Sequence, residues 1–195
     1  MKDSIDLSVV IACYNEAEHL RQSLPELEHV LRAFGMRYEL IVIDDASSDG
    51  TPEILHELLD GRQDVQLRFH ETNRGRGATV QEGIKLARGD MVGFLDIDLE
   101  ISAWYIPAAL DLLRREQADM VIAHRVYKLR PHPVVLLRHL LSIGYRMLAR
   151  WMIDAPVQDS EAGFKFFRRQ AVLPVLDRCQ DTGWFWDTEI TYLSH

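Results

Sequence analysis

Cysteine is scarce in this chain of 195 residues, which contains only Cys13 and Cys179. Two cysteines do not make a disulfide framework, so the composition is typical of a reduced, cytosolic protein. No stretch reaches the roughly 20 apolar residues that a transmembrane helix needs, and the polar first six residues do not resemble a signal peptide. These absences favour a globular protein of the cytoplasm.

Acidic residues are missing from one segment, residues 120–153, although the chain as a whole has a formal net charge of −8. The overall negative charge argues against general nucleic-acid binding. The acid-free segment is largely apolar and contains six arginines and lysines, among them Arg125 and Arg138. An acidic protein with one basic segment indicates an anionic partner there. A chance run of cations on a solvated face is the competing interpretation.

Apolar runs alternate with helical patterns along the first 125 residues. Strands are predicted at 7–12, 39–43, 65–69, 90–95 and 120–123, and helices at 16–34, 51–59, 78–87 and 104–115. Pro25 is expected to kink or restart the first helix. A basic helix at 134–152, a strand at 163–167 and two further helices follow. The alternation predicts an α/β fold, with a doubly wound, mostly parallel sheet flanked by helices in a single domain.

Two aspartate-rich turns follow predicted strands. They read Asp44-Asp45-Ala46-Ser47-Ser48-Asp49-Gly50-Thr51 and Asp96-Ile97-Asp98-Leu99-Glu100. Ligands of an open α/β sheet bind at the carboxyl ends of its strands, so these two turns and the turn at residues 13–16, after the first strand, are expected to converge on one site. Carboxylate oxygens suit Mg²⁺ or Mn²⁺, and such an ion would hold a diphosphate. Solvated turns with helix-capping aspartates are the competing interpretation.

Two further segments carry weaker signals. The loop Asn73-Arg74-Gly75-Arg76-Gly77-Ala78 precedes a helix and suits an anion, although it lacks the Gly-Lys-Ser/Thr of a Walker loop. The run Trp184-Phe185-Trp186 is interpreted either as core or as the wall of a sugar or lipid site.

Read together, these segments resemble the family 2 glycosyltransferases with the GT-A fold, and most of all the dolichol- or polyprenyl-phosphate mannose or glucose synthases. The resemblance also includes Ala12-Cys13-Tyr14-Asn15-Glu16, in which Ala12 stands where the family has proline. It extends to His124-Arg125 and to residues 159–165. Six matching segments occur in the family's order, over nearly the whole chain.

The resemblance implies a role for each matching residue. Those expected to bind the nucleotide sugar are Tyr14, Glu16, Asp45, Arg76 and Asp96. Those expected to bind Mg²⁺ or Mn²⁺ are Asp96, Asp98 and Glu100. Those expected to bind the acceptor phosphate are Arg125, Arg138 and Lys165. The expected catalytic residues are Asp98 and Arg125.

The implied reaction is an inverting, metal-dependent transfer of mannose or glucose from GDP-mannose or UDP-glucose to a polyprenyl phosphate. The enzyme would be peripheral, on the cytoplasmic face of a membrane, with residues 134–152 against the lipid surface. Residues 1–195 would form one catalytic domain, truncated at its C-terminus. Its nucleotide-sugar half would be about residues 1–100 and its acceptor half about 101–195.

Two other functions stay open at this point. A transferase acting on a saccharide hydroxyl would need a general base, for which Asp159, Glu161 or Asp187 is the candidate. A nucleotide-binding or phospho-signalling module would use the Asp44–Asp45 pair without any transfer chemistry. The basic, acid-free segment favours a lipid phosphate over both.

Overall fold

The fold is built around a single sheet. The computed structural model describes residues 5–115, 118–124 and 160–194. The strands are β1 (Leu7–Cys13), β2 (Tyr38–Asp44), β3 (Val65–Phe69), β4 (Met91–Leu95), β5 (Met120–Ile122) and β6 (Phe164–Arg168). Their order across the sheet is β3-β2-β1-β4-β6-β5. The predicted α/β architecture is confirmed.

Strand direction separates two parts of the sheet. Strand β1 pairs in parallel with β2 and β4, and β2 pairs in parallel with β3. Strand β6 is antiparallel to both of its neighbours, β4 and β5. Because Leu95 is paired with Phe164, β6 begins beside the end of β4. The residues just before β6 therefore join the carboxyl edge, at which the parallel strands end.

Helices cover both faces of the sheet. They are α1 (Ala17–Ala33), α2 (Thr51–Leu59), α3 (Arg76–Leu86), α4 (Ile106–Arg115), α5 (Arg169–Leu176) and α6 (Trp186–Leu193), with a 3₁₀ turn at Ala103–Tyr105. Gly35 and Gly61, at φ 62° and 75°, follow the ends of α1 and α2 where the sequence predicts the helices to stop. Helix α1 continues through Pro25 instead of restarting there. Pro25 is exposed, and the apolar face of Leu24 and Leu27 runs on past it.

Alternate residues of the central strand face two separate cores. Val9 and Ile11 pack in the cluster that contains the buried residues of α1 and α4, whereas Val10 packs with α3 and α6. This two-sided burial explains why β1 is apolar at nearly every position. Within the described ranges, the helices lack the combination of length and hydropathy that a bilayer crossing needs.

Candidate active site at the carboxyl edge of the sheet

The turns after β1 and β2 are joined by backbone-to-side-chain hydrogen bonds. The backbone N–H of Asn15 donates to Ser47 Oγ at 2.8 Å, and the N–H of Ser48 donates to Asn15 Oδ1 at 2.8 Å. The N–H of Glu16 donates to Thr51 Oγ1 at 2.8 Å. The polar residues of the second turn thus fix the first turn, and the two turns meet as the sequence predicts.

Backbone strain is concentrated at the same edge. Among the described residues, the non-glycine residues with positive φ are Asn15 (58°), Ala46 (61°) and Leu99 (52°). Each lies in one of the turns that follow β1, β2 and β4. The left-handed region is disfavoured for alanine and leucine, and such strain persists where the surrounding structure enforces it. Its place in all three turns makes this edge the candidate functional site.

Asp45 organises a neighbouring loop. Its carboxylate is buried, and it accepts the backbone N–H groups of Arg74 at 2.8 Å and Gly75 at 2.9 Å. Nδ1 of His70 lies 2.6 Å from Oδ1 of Asp45. Burial opposes ionisation, but these hydrogen bonds outweigh it and hold the pKa of Asp45 below its ordinary value. The carboxylate is occupied by these partners, and its contact with a nucleoside remains a prediction.

We expect Asp45→Asn to lower the free energy of unfolding by about 1–3 kcal/mol at neutral pH, because buried donors lose an ionised acceptor. The folded-state pKa of Asp45 is depressed. Its stabilisation is therefore complete above the unfolded-state pKa of about 3.9 and is lost as the pH falls through the lower folded-state pKa. Urea unfolding of both proteins across this range measures the effect. A stability difference that persisted undiminished into strong acid would contradict this explanation.

His70 is a part of the site that the sequence analysis missed. Its side chain is 4% exposed, and its Nε2 lies 3.2 Å from Glu82 Oε2. Glu82 also accepts Arg74 Nη1 at 3.1 Å. His70 therefore joins Asp45 to α3 and fixes the loop between them. The available signal was its position, since His70 directly follows β3 at the carboxyl edge.

Asp96, at the end of β4, is held by the segment that leads into β6. Its backbone N–H donates to Gly163 O at 3.0 Å, and a Cβ at position 163 would overlap its Oδ2 atom. Arg76 Nη2 lies 2.5 Å from Asp96 Oδ1. Burial raises the pKa of Asp96, Asp187 and Asp98 add to the rise, and Arg76 opposes it. Only glycine at position 163 leaves room for this carboxylate.

Asp98 is one of two exposed carboxylates in the third turn, the other being Glu100. Its Oδ1 accepts the backbone N–H of Glu100 at 3.0 Å. Glu16 belongs to the same acidic region, because its pKa is raised by burial and further by Asp98 and Asp96. The three turns therefore bring acidic groups into one electrostatic neighbourhood.

The expected three-carboxylate metal site is not assembled in this arrangement. Among the residues that the structure describes, no three His, Cys, Asp or Glu side chains are grouped to hold an ion. Asp96 is bonded to Arg76, and Asp98 is bonded to the backbone of its own turn. Leu99, at positive φ, separates Asp98 from Glu100. The turn offers hard oxygen donors, and two of its carboxylates, Asp98 and Glu100, are exposed.

Lys165 is fully buried and faces Asp187. Its Nζ donates to Asp187 Oδ1 at 2.7 Å and to Ala162 O at 2.8 Å. Burial lowers the pKa of Lys165, and Asp187 opposes that change. In this arrangement Lys165 does not reach solvent, so its predicted contact with the acceptor phosphate stays a prediction. The aromatic run divides, because Trp186 is core and Trp184 is 79% exposed.

Close packing explains the glycines of the Arg-Gly-Arg-Gly loop. Gly75 has φ 92°, and a Cβ there would lie 2.5 Å from Thr182 O; a Cβ at Gly77 would overlap Trp186. The N–H of Gly75 is used by Asp45, and the N–H of Ala78 donates to Thr182 O at 3.0 Å. The backbone donors at the start of α3 are therefore used within the fold. An anion at this helix would contact the side chain of Arg76 instead.

A groove of about 570 Å³ adjoins the third turn, and a larger cavity of about 750 Å³ lies at the opposite edge, where β4 begins. The groove is mostly apolar; its lining includes Glu100, Tyr105, Leu112, His124 and Phe164. Tyr14, at the end of β1, is 52% exposed beside the strained first turn. Several predicted features lie outside the described residues, namely Arg125, Arg138, Asp159 and the helix at 134–152.

Comparison with known proteins gives a family match over most of the chain. Residues 8–174 match the family described as "Glycosyl transferase family 2". "Glycosyltransferase AglD" of Haloferax volcanii is 30% identical over 190 residues, which are 95% of this chain and 30% of that protein. "Dolichyl-phosphate beta-glucosyltransferase" of Saccharomyces cerevisiae is 26% identical over 212 residues, which cover 98% of this chain and 63% of that protein. The chain thus spans less than two thirds of these relatives.

A solved structure has the same fold. The mannosyltransferase PcManGT from Pyrobaculum calidifontis, in complex with GDP-Man and Mn²⁺, superposes with a TM-score of 0.60 at 19% identity. The superposition covers 88% of this chain and 46% of that one. At this level of identity the likeness establishes the architecture, which is the GT-A fold.

Proposed function

The chain belongs to glycosyl transferase family 2, and from this premise we propose that it transfers a hexose from a nucleoside diphosphate sugar to a polyprenyl or dolichyl phosphate. The observation that carries the proposal is the meeting of the three polar turns with Arg76 at the carboxyl edge of the sheet. The acceptor is supported by relatives named dolichyl-phosphate β-glucosyltransferase, which align with 98% of this chain. The sugar is glucose or mannose, carried by UDP or GDP.

Neither of the two candidate bases that the structure describes, Asp187 and Glu161, is placed as a general base, and this supports a phosphate acceptor over a hydroxyl. Asp187 is buried, and its carboxylate oxygens are taken by Lys165 and Arg76. Glu161 is exposed, and Asp159 lies outside the described residues. A lipid phosphate needs no such base, because phosphate monoesters lose their second proton with a pKa of about 6.

The proposed reaction is a single displacement. An acceptor phosphate oxygen forms a bond to the anomeric carbon while the bond from that carbon to the donor's diphosphate breaks, which inverts the anomeric centre. The chain's part is to position the two substrates and to stabilise charge on the leaving diphosphate. Tyr14, Glu16 and Asp45 are the proposed contacts for the nucleoside, and Arg76, which bonds Asp96, is the proposed cation for the diphosphate.

The residues present fit a divalent cation held by few protein ligands. Mg²⁺ and Mn²⁺ keep waters and take phosphate oxygens, so one or two carboxylates suffice. Asp98 is exposed, and Asp96 lies beside it in the same turn. We assign the cation to these two residues, with Glu100 as a further candidate. When bound, the ion would neutralise charge on the diphosphate. Two solved structures with this fold, of PcManGT and of a glucosyl-3-phosphoglycerate synthase, contain Mn²⁺.

The apolar groove beside Glu100 supports the lipid nature of the acceptor, since its walls suit a hydrocarbon chain better than a saccharide. Arg125 and Arg138 complete the proposal as the acceptor-phosphate contacts. Binding to the cytoplasmic face of a membrane, through residues 134–152, is proposed with them.

Transfer of labelled sugar into organic solvent tests the function. The chain is incubated with UDP-glucose or GDP-mannose, Mn²⁺ or Mg²⁺, and either polyprenyl phosphate or the matching polyprenol. We expect label in the organic phase with the phosphate and none with the alcohol, because only the phosphate carries a nucleophile that needs no base. Transfer to the polyprenol, or to a soluble saccharide instead of the lipid phosphate, would contradict the proposed acceptor.

A further inference from the structure

Four charged residues from distant parts of the chain form one network beneath the donor site. Arg76 of α3 donates through Nη2 to Asp96 and through Nη1 to Asp187, a partner 111 residues away in sequence. Asp187 of α6 also accepts Lys165 Nζ of β6 at 2.7 Å. The network therefore ties α3, β4, β6 and α6 together at the place where the diphosphate is proposed to bind.

Three of the four side chains of this network are buried or nearly so, whereas that of Asp96 is 47% exposed. The side chains of Lys165 and Asp187 are 0% and 4% exposed, and that of Arg76 is 13% exposed. The guanidinium of Arg76 lies 5.4 Å from the ring centre of Phe94 and 5.6 Å from that of Trp184. Removing one member of such a buried group would leave an uncompensated charge, so the members hold one another in place.

Asp187 is therefore more than a structural counter-ion. We propose that Asp187 is a positioning residue. Together with Lys165, which bonds it from behind, it holds Nη1 of the Arg76 guanidinium. It thereby keeps Nη2 directed at the donor's diphosphate beside Asp96. The inference rests on the proposed function and adds to it the group that recognises the diphosphate. It also gives Asp187 a role other than that of a general base.

The competition for Asp96 explains why such an anchor is needed. A divalent cation at Asp96 would compete for this carboxylate with Arg76, which bonds its Oδ1 atom. An arginine held by Asp96 alone would then be free to swing into solvent. Because Asp187 is bonded to Nη1, Arg76 would stay in the site and could turn the Nη2 that Asp96 releases toward the phosphates. The four side chains carry two positive and two negative charges, so the arrangement is balanced without a ligand.

The direct test is to remove the charges of Lys165 and Asp187 together. Lys165→Met with Asp187→Asn eliminates both charges together, which a fold tolerates better than the loss of one. Calorimetric titrations with Mn²⁺ measure the binding of UDP against UMP, and of GDP against GMP. We expect the diphosphate to bind about tenfold more weakly than to the wild type, as for the loss of one charge-assisted contact, and the monophosphate to bind with unchanged affinity. Equal losses for both would mean a merely structural role and would overturn the proposal.

Two further variants sharpen the result. Lys85→Met with Asp177→Asn is the matched control, because it removes an exposed lysine–aspartate pair, which joins α3 to the residue after α5. It should leave both affinities unchanged. Arg76→Met should reproduce the selective loss of diphosphate affinity. When it is added to the paired variant, the diphosphate affinity should fall no further. Additive losses would show that Arg76 acts independently of Asp187 and would overturn the positioning role.

If the paired variant does not fold, Arg76→Met still tests the inference, since it leaves the Lys165–Asp187 pair intact. If Arg76→Met kept the wild-type preference for the diphosphate, the inference would be overturned and the proposed function would stand. Failure of the wild type to bind either nucleoside diphosphate would contradict both the inference and the proposed function. Selective diphosphate binding without transfer to polyprenyl phosphate would remove the proposed acceptor and keep the inference.

Discussion

Asp98→Asn is expected to reduce hexose transfer by about a thousand-fold while leaving the fold intact. The expected loss is about 4 kcal/mol of transition-state stabilisation, which the proposed cation would supply to the leaving diphosphate. The fold should survive because Asp98 is exposed and its described hydrogen bond is local, to the N–H of Glu100, which an asparagine oxygen also accepts. Initial rates of lipid-linked sugar formation measure the effect, with thermal unfolding as the check on folding.

The matched control for this variant is Asp60→Asn. Asp60 is also an exposed carboxylate, with 62% of its side chain accessible, and it pairs with His56 away from the three turns. Its replacement should leave the rate unchanged. If Asp98→Asn kept a rate within a few-fold of the wild type, the assignment of the cation to this turn would have to be abandoned.

Gly163→Ala is the second variant for which we expect a large effect. The added Cβ would overlap Asp96 Oδ2, so the carboxylate must turn away and lose its 2.5 Å bond to Arg76. Displacement of a catalytic group by about 1 Å costs on the order of a hundred-fold in rate. We expect a loss of that size in kcat/KM, together with weaker binding of Mn²⁺ and nucleoside diphosphate.

Two comparisons separate this explanation from general damage to the sheet. A Cβ at Gly183 would meet its nearest atom, Asp181 Oδ1, at an ordinary 3.6 Å, so Gly183→Ala should be nearly silent. In an Asp96→Ala background the clash no longer exists, and Gly163→Ala should then add no further loss. A large additional loss in that background would mean that position 163 acts through something other than Asp96.

The fold was largely predictable because its signals are local. Apolar runs, the turns that follow them and the glycines that stop helices are each set by a few neighbouring residues. The expected convergence of the first two turns is confirmed by the bonds between Asn15, Ser47 and Ser48. The expected effect of Pro25 was overestimated, because the packing of α1 against the sheet outweighs the loss of one helical hydrogen bond.

The inner part of the site was not predictable from local patterns. The pattern of apolar and polar residues at 164–168 does not determine the direction of β6, because side chains alternate between the two faces in parallel and antiparallel strands alike. The partners of Arg76 are 20 and 111 residues away, and they become partners only when the sheet and α6 are assembled. The role of His70 is hidden from the sequence for the same reason, since Asp45 and Glu82 meet it through the tertiary structure alone.

The place of β6 between β4 and β5 has a consequence for synthesis on the ribosome. The edge of β4 stays unpaired until β6 emerges, and β5 has β6 as its neighbour in the sheet. A nascent chain that ends before residue 164 would therefore expose an open strand edge, which invites association with other chains. Closing a loop of roughly 70 residues to fill that gap carries an entropic cost that delays the step. Gly163 and Lys165 arrive with the same strand, so the donor site would be completed together with the sheet and not before it.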